Sequence, residues 1–503
     1  MLNKHFAEVG TSNKNSINYQ GINKYLKHGQ SNTIFLSETN NTELLFIIEN
    51  LKNKKSQGPD EVPISIIKKL KNLICPILTY LINKSLKLGE YPNCLKIGKV
   101  LPLYKSGNRM DPSNYRPIIL LPAINKIYET LLVNRLASFF ESNKIITDNQ
   151  YGFRSGHSTE QAISKFYEDI LVNLNNNFSS CAIVLDLSKA FDSVNREILL
   201  YKLNRYGIRG PFLKILTSYL NNRTQYVHTN DIKSTVCQSI MGVPQGSIIS
   251  TQFLIMINDF KNSTNMDVLK FADDTLFYLK FSETTNLQEQ INTELHKINE
   301  WLELNHLKPN LAKTYYLIFP PKTKTSNSIT NLNLSLDNKT KIKQVKNFKY
   351  LGLNIEHNLT WKTQIESLTC KLSKAIGILY RIRRYINKPS LNLLLHSLII
   401  SHLKYGIICY GRANSTALKP LNILLNRALR CINFLGRRDK KTSQIYFEQK
   451  ILKIQDMFKL ELAKFCFKFH NKLLPNQLLT VFTNISSVHN YNTMNSNINF
   501  FSK

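Results

Sequence analysis

Two adjacent carboxylates, Asp273 and Asp274, stand between the apolar runs Val268-Leu269 and Leu276-Phe277-Tyr278-Leu279, and this pattern restricts the fold more than any other in the chain. Successive side chains on a strand point to opposite faces, and an ionised carboxylate buried without a partner is costly. The pair is therefore expected in a tight turn joining two strands, with the acids at its tip. An ordinary polar hairpin turn satisfies the same pattern. A metal site satisfies it too, because hard cations such as Mg2+ bind carboxylate oxygens and leave room for substrate phosphates.

A third acid bears on that choice. Cys181-Ala-Ile-Val-Leu-Asp-Leu187 reads as a short buried strand ending at Asp186. Beyond it a helical pattern runs from Val194 to Tyr206, with Asp192 or Ser193 expected to cap its start and Gly207 to take the left-handed position at its end. A strand-end acid beside a hairpin-tip pair is the arrangement that holds two Mg2+ ions for phosphoryl transfer.

Three segments in order, Asp186-Leu-Ser-Lys-Ala-Phe-Asp192, Gly242-Val-Pro-Gln-Gly-Ser247 and Phe271-Ala-Asp-Asp274, resemble the palm motifs of reverse transcriptases, most closely the non-LTR retrotransposon class of LINE or jockey type. Ser56-Gln-Gly-Pro-Asp60, Asn114-Tyr-Arg-Pro-Ile118, Gln150-Tyr-Gly-Phe-Arg-Ser-Gly-His-Ser-Thr159, Asn310-Leu-Ala-Lys-Thr314 and Phe348-Lys-Tyr-Leu-Gly352 extend the similarity over roughly residues 45 to 385. The resemblance implies an α+β fold of the right-hand polymerase kind: fingers, a palm with an antiparallel sheet, a thumb and a helical C-terminal extension. In this numbering those parts fall at 43–175 for fingers, 176–335 for palm, 336–360 for a primer-grip hairpin and 361–503 for thumb and extension. A polar, Asn-rich leader at 1–42 is expected to be partly disordered.

The same resemblance implies an RNA-directed DNA polymerase that extends a primer 3′-hydroxyl with dNTPs. Its partners would be an RNA template, a DNA primer and their heteroduplex, and its cofactor two Mg2+ ions, for which Mn2+ can substitute. Asp186 and Asp273 would bridge the ions, with Asp274 a weaker ligand. Phe191 would pack under the nucleotide sugar and exclude a ribose 2′-hydroxyl; a plain core phenylalanine is the alternative. Gln245 and Gly246 would approach the base pair or a phosphate. Arg154 would clamp the triphosphate with Arg116 nearby, since a guanidinium grips phosphate oxygens through paired donors. Lys313 would protonate the departing pyrophosphate. Phe348, Tyr350, Leu351 and Gly352 would form the primer grip, with Tyr350 and Leu351 against the primer end. After Ser247 the chain departs from the family: Ile249-Ser250-Thr251-Gln252 is one residue shorter, and Ser250 is expected to cap a helix from Thr251. Complete elements of this class carry an endonuclease for which the leader is too short, so a polymerase segment of a larger element is expected. A nonenzymatic RNA-binding remnant and a cellular or intron-associated reverse transcriptase are the alternatives.

A formal charge of +32 on 503 residues favours nucleic acid or an anionic membrane as partner, although an AT-rich genome also enriches Lys and Asn. The eight cysteines never form Cys-x-x-Cys and are expected to be reduced core residues. Leu391 to Tyr410 is apolar but interrupted by His396, His402 and Lys404, so a buried helix is expected rather than a membrane span. An intracellular protein without a membrane partner is expected, and nuclear access is implied by the resemblance alone. Helices are expected over Ile64 to Leu88, Ala123 to Ser142, Asn204 to Asn221, Thr285 to Leu304 and from Trp361 onward. Lys99 to Tyr104 and Tyr315 to Phe319 read as extended, Gln225 to His228 as a hairpin with the segment near Val236, and Pro320 to Thr340 as a polar loop.

Overall fold

The strand Ser179–Leu185 is almost wholly buried, which explains its apolar run from Cys181 to Leu185. It is the middle of a five-stranded sheet in the order Lys343–Gln344, Tyr315–Phe319, Ser179–Leu185, Asp274–Phe281 and Asp267–Phe271. All neighbours are antiparallel except the short Lys343–Gln344 strand. The structure is a computed structural model that describes residues 1–8, 16–26, 29–53, 56–229, 232–282, 286–321, 332–337, 340–436, 438–479, 482–484 and 500–502.

Alternation along the central strand divides the core. Ala182 joins a cluster with the helix Thr159–Asn175 and the C-terminal helices, whereas Cys181, Ile183 and Leu185 face a second cluster containing the helix Leu287–Leu304. On that helix Leu287, Ile291, Leu295, Ile298 and Leu302 fall on one stripe and are buried throughout; Thr285, the expected start, lies outside the described residues. On the first face, Ile365, Leu368, Leu372, Ile376 and Leu379 of the helix Lys362–Ile382 are buried as their spacing requires.

A second sheet forms in the fingers. Ile97–Tyr104 pairs antiparallel with Tyr115–Leu120 and parallel with Arg223–Thr229, which in turn pairs with Ile232–Lys233 and Cys237–Ser239. Residues 223–239, expected in the palm, thus belong to the finger sheet. Conversely the helix Thr159–Asn175, expected in the fingers, packs on the palm. In the described part of the leader, Ile22 and Ile34 join a core cluster with the helix Ala123–Ser142, and Asn3 Nδ2 in the helix Leu2–Glu8 donates to the carbonyls of Thr235 at 2.7 Å and Gln225 at 3.3 Å.

Several local expectations need correction. The helix after Asp186 is Arg196–Arg205, capped by Asn195, whose side chain accepts from Glu197 N and Ile198 N; neither Asp192 nor Ser193 caps it. Ser250 does not cap either. It lies within a 3-10 helix, Ile249–Ser263, and its hydroxyl donates to Pro244 O at 2.7 Å. Cys75, Cys181, Cys409 and Cys431 are buried, but Cys94 and Cys370 are exposed. Leu391 to Tyr410 is no single helix: Lys388–Leu395 passes through a wider π turn, His396–Ile400, to Ser401–Lys404, and the chain breaks at Gly406. Among the described residues no helix is long and apolar enough to cross a membrane.

Candidate active site

Pairing of Leu185 with Thr275 sets the register of the two central palm strands, so the next step outward brings Asp186 opposite Asp274. Phe271 pairs with Asp274, leaving Ala272 and Asp273 as the tip of the hairpin. Three acids far apart in sequence thus reach one corner of the sheet. The tip is strained, since Ala272 has a φ of 57°, a left-handed conformation that side chains other than glycine rarely adopt.

What holds the tip is a finger segment. Gln150 is buried, and its Oε1 accepts from Ala272 N at 3.0 Å and Gly152 N at 2.8 Å while its Nε2 donates to Ala272 O at 3.4 Å. Alongside, Tyr151 N donates to Lys270 O and Lys270 N to Asn149 O, both at 2.8 Å. One amide therefore satisfies both backbone groups of the strained residue. Gln150 opens the motif that carries Arg154, yet its role is legible only when the two segments are seen together.

Asp186 and Asp273 face a cavity of about 840 Å3, whose other walls carry Lys105, Arg116, Lys189 and Lys313. Asp186 Oδ2 accepts from Asn310 Nδ2 at 2.8 Å and lies 3.6 Å from Lys313 Nζ. Loss of solvent, and then the charges of Asp273 and Asp186, push Asp274 up to about 6. Burial first, with Asp186 contributing, raises Asp273 as well. In the same cavity, the charge of Lys313 is the main cause lowering the Lys105 pKa. Acids and cations line the same cavity, which is a site for a cation and a polyanion together.

Oxygen donors carrying unbalanced negative charge, beside a cavity with room for water and phosphate, suit Mg2+. Asp186, Asp273 and Asp274 are the residues that would hold it. Among the described residues no group of three or more His, Cys, Asp or Glu is closed to metal-ligand spacing. The three acids share a corner without forming one tight shell.

The other expected residues divide. Phe191, Gln245 and Gly246 line the same cavity. Gly246 has a φ of 108°, and a Cβ there would stand 2.8 Å from Ile119 O, so this turn needs glycine. Arg154 does not line it. Its guanidinium makes a two-pronged pair with Glu141, at 2.9 and 2.8 Å, and faces a separate cavity of about 240 Å3. A clamp role for Arg154 is not supported by this geometry, because its donors are already taken. Phe348 and Tyr350 are core residues: the Phe348 ring lies 6.0 Å from Tyr315 and 6.3 Å from Phe166, and Tyr350 is 2 % exposed. The expected contact of Tyr350 with a primer end is thus not open in this arrangement. Leu351 and Gly352, with φ of 44° and 92°, form the turn between Asn347–Tyr350 and Leu353–Glu356, and the Tyr405 hydroxyl donates to Leu351 O.

Sequence reasoning missed Lys105, Lys189, Asn310, Gln150 and Asp192. Lys189, Asn310, Gln150 and Asp192 lay within quoted motifs, so the signal was present. Lys105 follows the expected extended segment, and only the fold turns it toward Lys313.

An antiparallel sheet that gathers carboxylates at a strand end and a hairpin tip, under a basic cavity roofed by fingers, defines a polymerase-type palm. Residues 104–355 match the family described as "Reverse transcriptase (RNA-dependent DNA polymerase)". The chain belongs to that family. It is 28 % identical over 429 residues to the RNA-directed DNA polymerase from mobile element jockey of Drosophila melanogaster, covering 82 % of this chain and 46 % of that protein. It is 25 % identical over 424 residues to the probable RNA-directed DNA polymerase from transposon X-element of the same species, covering 81 % and 46 %. The chain therefore spans about half the length of these curated relatives. Among solved structures, apo telomerase from Candida tropicalis is similar with a TM-score of 0.41 and 13 % identity, over 75 % of this chain and 63 % of that one.

Proposed function

We propose that this chain is the polymerase segment of a non-LTR retrotransposon and extends a primer 3′-hydroxyl with dNTPs on an RNA template. The observation that carries the reading is a single cavity lined by Asp186 and Asp273 together with Lys105, Arg116, Lys189 and Lys313. Two Mg2+ ions, when bound, supply a lowered hydroxyl pKa and neutralise charge on the leaving oxygens. Asp186 and Asp273 would hold them, with Asp274 as a further ligand. Arg116 and Lys105 receive the triphosphate, Arg116 through paired donors. Lys313 stands where a proton could pass to departing pyrophosphate. Phe191 forms the floor beneath the nucleotide sugar and disfavours a 2′-hydroxyl. The basic C-terminal helices, including Lys371, Lys374 and Arg381 of Lys362–Ile382 with Arg384 just past its end, support binding of the heteroduplex backbone.

The test is primer extension on an RNA template with dNTPs and Mg2+, with Asp273→Asn as control. Extension by the native chain, lost in the variant, is expected. Retention of hybrid binding without incorporation by the native chain would instead describe an RNA-binding remnant, and the polymerase reading would fall.

A further inference from the structure

The helix Lys71–Leu88 is apolar on both of its faces, and only one of them is covered. Cys75, Leu78, Ile82 and Leu86 are buried in the core cluster that also holds the helix Ala123–Ser142. On the other side Leu73, Ile77, Tyr80, Leu81 and Leu88, with Leu70 just before the helix, stand 47 to 71 % exposed. At 3.6 residues per turn these side chains fall within roughly 100° of arc and run about 27 Å along the axis. A helix apolar all round belongs inside a core. At about 200 Å2 for a large side chain, the stripe exposes roughly 700 Å2. That exceeds the about 300–600 Å2 of the largest patch on a typical monomer. It approaches the roughly 800 Å2 that each partner buries in a stable interface of ordinary size.

We propose that this stripe is an interface between two copies of the chain, packed antiparallel about a two-fold axis. The pattern reads alike from either end. With the axis near residue 79, Leu70 meets Leu88 of the second copy and Ile77 meets its Leu81. Lys84, the polar residue within the stripe, then lies over Leu73 with its ammonium free to reach water. Charge argues against other occupants. Nucleic acid, an anionic membrane or an acidic helix would be met by a fringe of free cations, and the chain as a whole has them to spare at +32. Beside this stripe, however, Lys71 is paired with Glu49, Lys87 with Glu38 at 2.8 Å, and Lys68 Nζ donates to Glu49 O at 2.8 Å. Those lysines are already answered within one copy, which suits an apolar, uncharged contact. The stripe is separate from the residues lining the catalytic cavity, so pairing leaves both cavities open and holds whatever reaction they run.

Sedimentation equilibrium of the nuclease-treated chain, from roughly 0.2 to 20 μM in about 0.5 M NaCl, is the first measurement. Salt at that level dissolves association bridged by residual nucleic acid, whereas an apolar contact persists. A closed monomer–dimer equilibrium with a Kd in or below the low micromolar range is expected. Ile77→Glu and Leu81→Lys should each weaken it about thirtyfold or more, as loss of a central contact does. An equimolar mixture of the two variants should recover the dimer. In the mixed pair the new carboxylate faces the new ammonium, while the other Ile77–Leu81 contact stays apolar. Both positions are exposed in a single copy, so each variant should keep the native circular dichroism spectrum. A native chain that is monomeric throughout the range would overturn the proposal and leave the stripe to a partner of another kind. A dimer that neither substitution weakens, a mixture that stays monomeric, or growth into higher oligomers would overturn it too. Should one variant not fold, the native dilution series and the other variant decide.

Discussion

Replacing Gly152 by alanine should damage catalysis through a residue that carries no functional group. A Cβ at Gly152 would stand 2.2 Å from Ala272 N, with Ala272 Cα and the Phe271 carbonyl carbon each at 3.0 Å. These are backbone atoms of the acid turn and cannot rotate aside. Restoring an ordinary 3.4 Å contact requires the two segments to part by about 1.2 Å. The bonds from Tyr151 N to Lys270 O at 2.8 Å and from Ala272 N to Gln150 Oε1 at 3.0 Å would then stretch beyond hydrogen-bonding reach. Each buried group left unpaired costs about 1–3 kcal/mol, and forcing extra volume into packed backbone adds about 1–3 kcal/mol. Partial relaxation should leave a loss of about 3–4 kcal/mol in unfolding free energy. Rate should suffer separately, because a displacement of about 1 Å at the reacting groups costs about a hundredfold. Urea denaturation measures the first quantity. Primer extension well below the unfolding midpoint measures the second. Gly156→Ala is the control: its φ of 74° carries backbone strain of about 1 kcal/mol, but nothing lies within 4 Å of the new atom. Extension by Gly152→Ala at the native rate would refute the claim that this contact sets the acids. Equal losses in both variants would also refute it, by showing that loop strain alone accounts for the effect.

Other perturbations separate the roles assigned above. Asp186→Asn and Asp273→Asn should each lower extension by orders of magnitude while hybrid binding, measured by fluorescence anisotropy, stays within a few-fold. Phe191→Ala should raise rNTP incorporation relative to dNTP, and an unchanged ratio would leave Phe191 as a core side chain only. Arg116→Ala should raise the dNTP KM by about tenfold or more. Arg154→Ala should instead lower stability by about 1 kcal/mol with little change in KM, because Glu141 already holds its guanidinium; a large KM effect there would restore it as the clamp. Burial holds the Lys270 amine down to about 7, against 10.5 in the unfolded chain. The unfolded state therefore binds more protons between those values, and stability rises with pH across that window. The urea midpoint should climb from pH 7 to pH 9, and the climb should shrink in Lys270→Met.

The parts legible in sequence were those set by short-range pattern. The acids could be placed because an apolar strand must end where an unpaired charge begins, and Asp186, Asp273 and Asp274 each sit at such an end. Helix faces such as Leu287 to Leu302 followed from spacing alone. What escaped was decided by partners far along the chain. Nothing near Arg223–Thr229 announces that it will lie parallel to Ile97–Val100, since parallel pairing leaves no local turn to read. Arg154 has the chemistry of a phosphate clamp, and only the fold reveals Glu141 against it. Capping failed for a related reason: Asp192, Ser193 and Asn195 are all competent caps, and Asp192 is engaged by Gln245, a contact 53 residues distant.

That failure carries information about the site. A side chain suited to a local task but found bound to a distant loop has been removed from that task by tertiary structure, and the places where this happens cluster at the cavity. Asp192 leaves the helix cap to accept from Gln245 Nε2, and Gln150 leaves solvent to hold Ala272 in a conformation alanine disfavours. Both residues fix atoms beside the reacting centre without reaching it themselves. If the proposed polymerase needs its acids and its nucleotide contacts held to within about an ångström, rigidity must come from such buried bonds, because a two-residue hairpin tip and a glycine-flanked loop have little of their own. Substitutions at Gln150 and Asp192 should accordingly alter rate or selectivity more than their cost in stability would suggest. Gln150→Leu keeps the volume but removes all three amide bonds, and it should lower kcat by at least tenfold while leaving dNTP KM within a few-fold. A variant that loses stability in proportion to rate would show that Gln150 is merely part of the core.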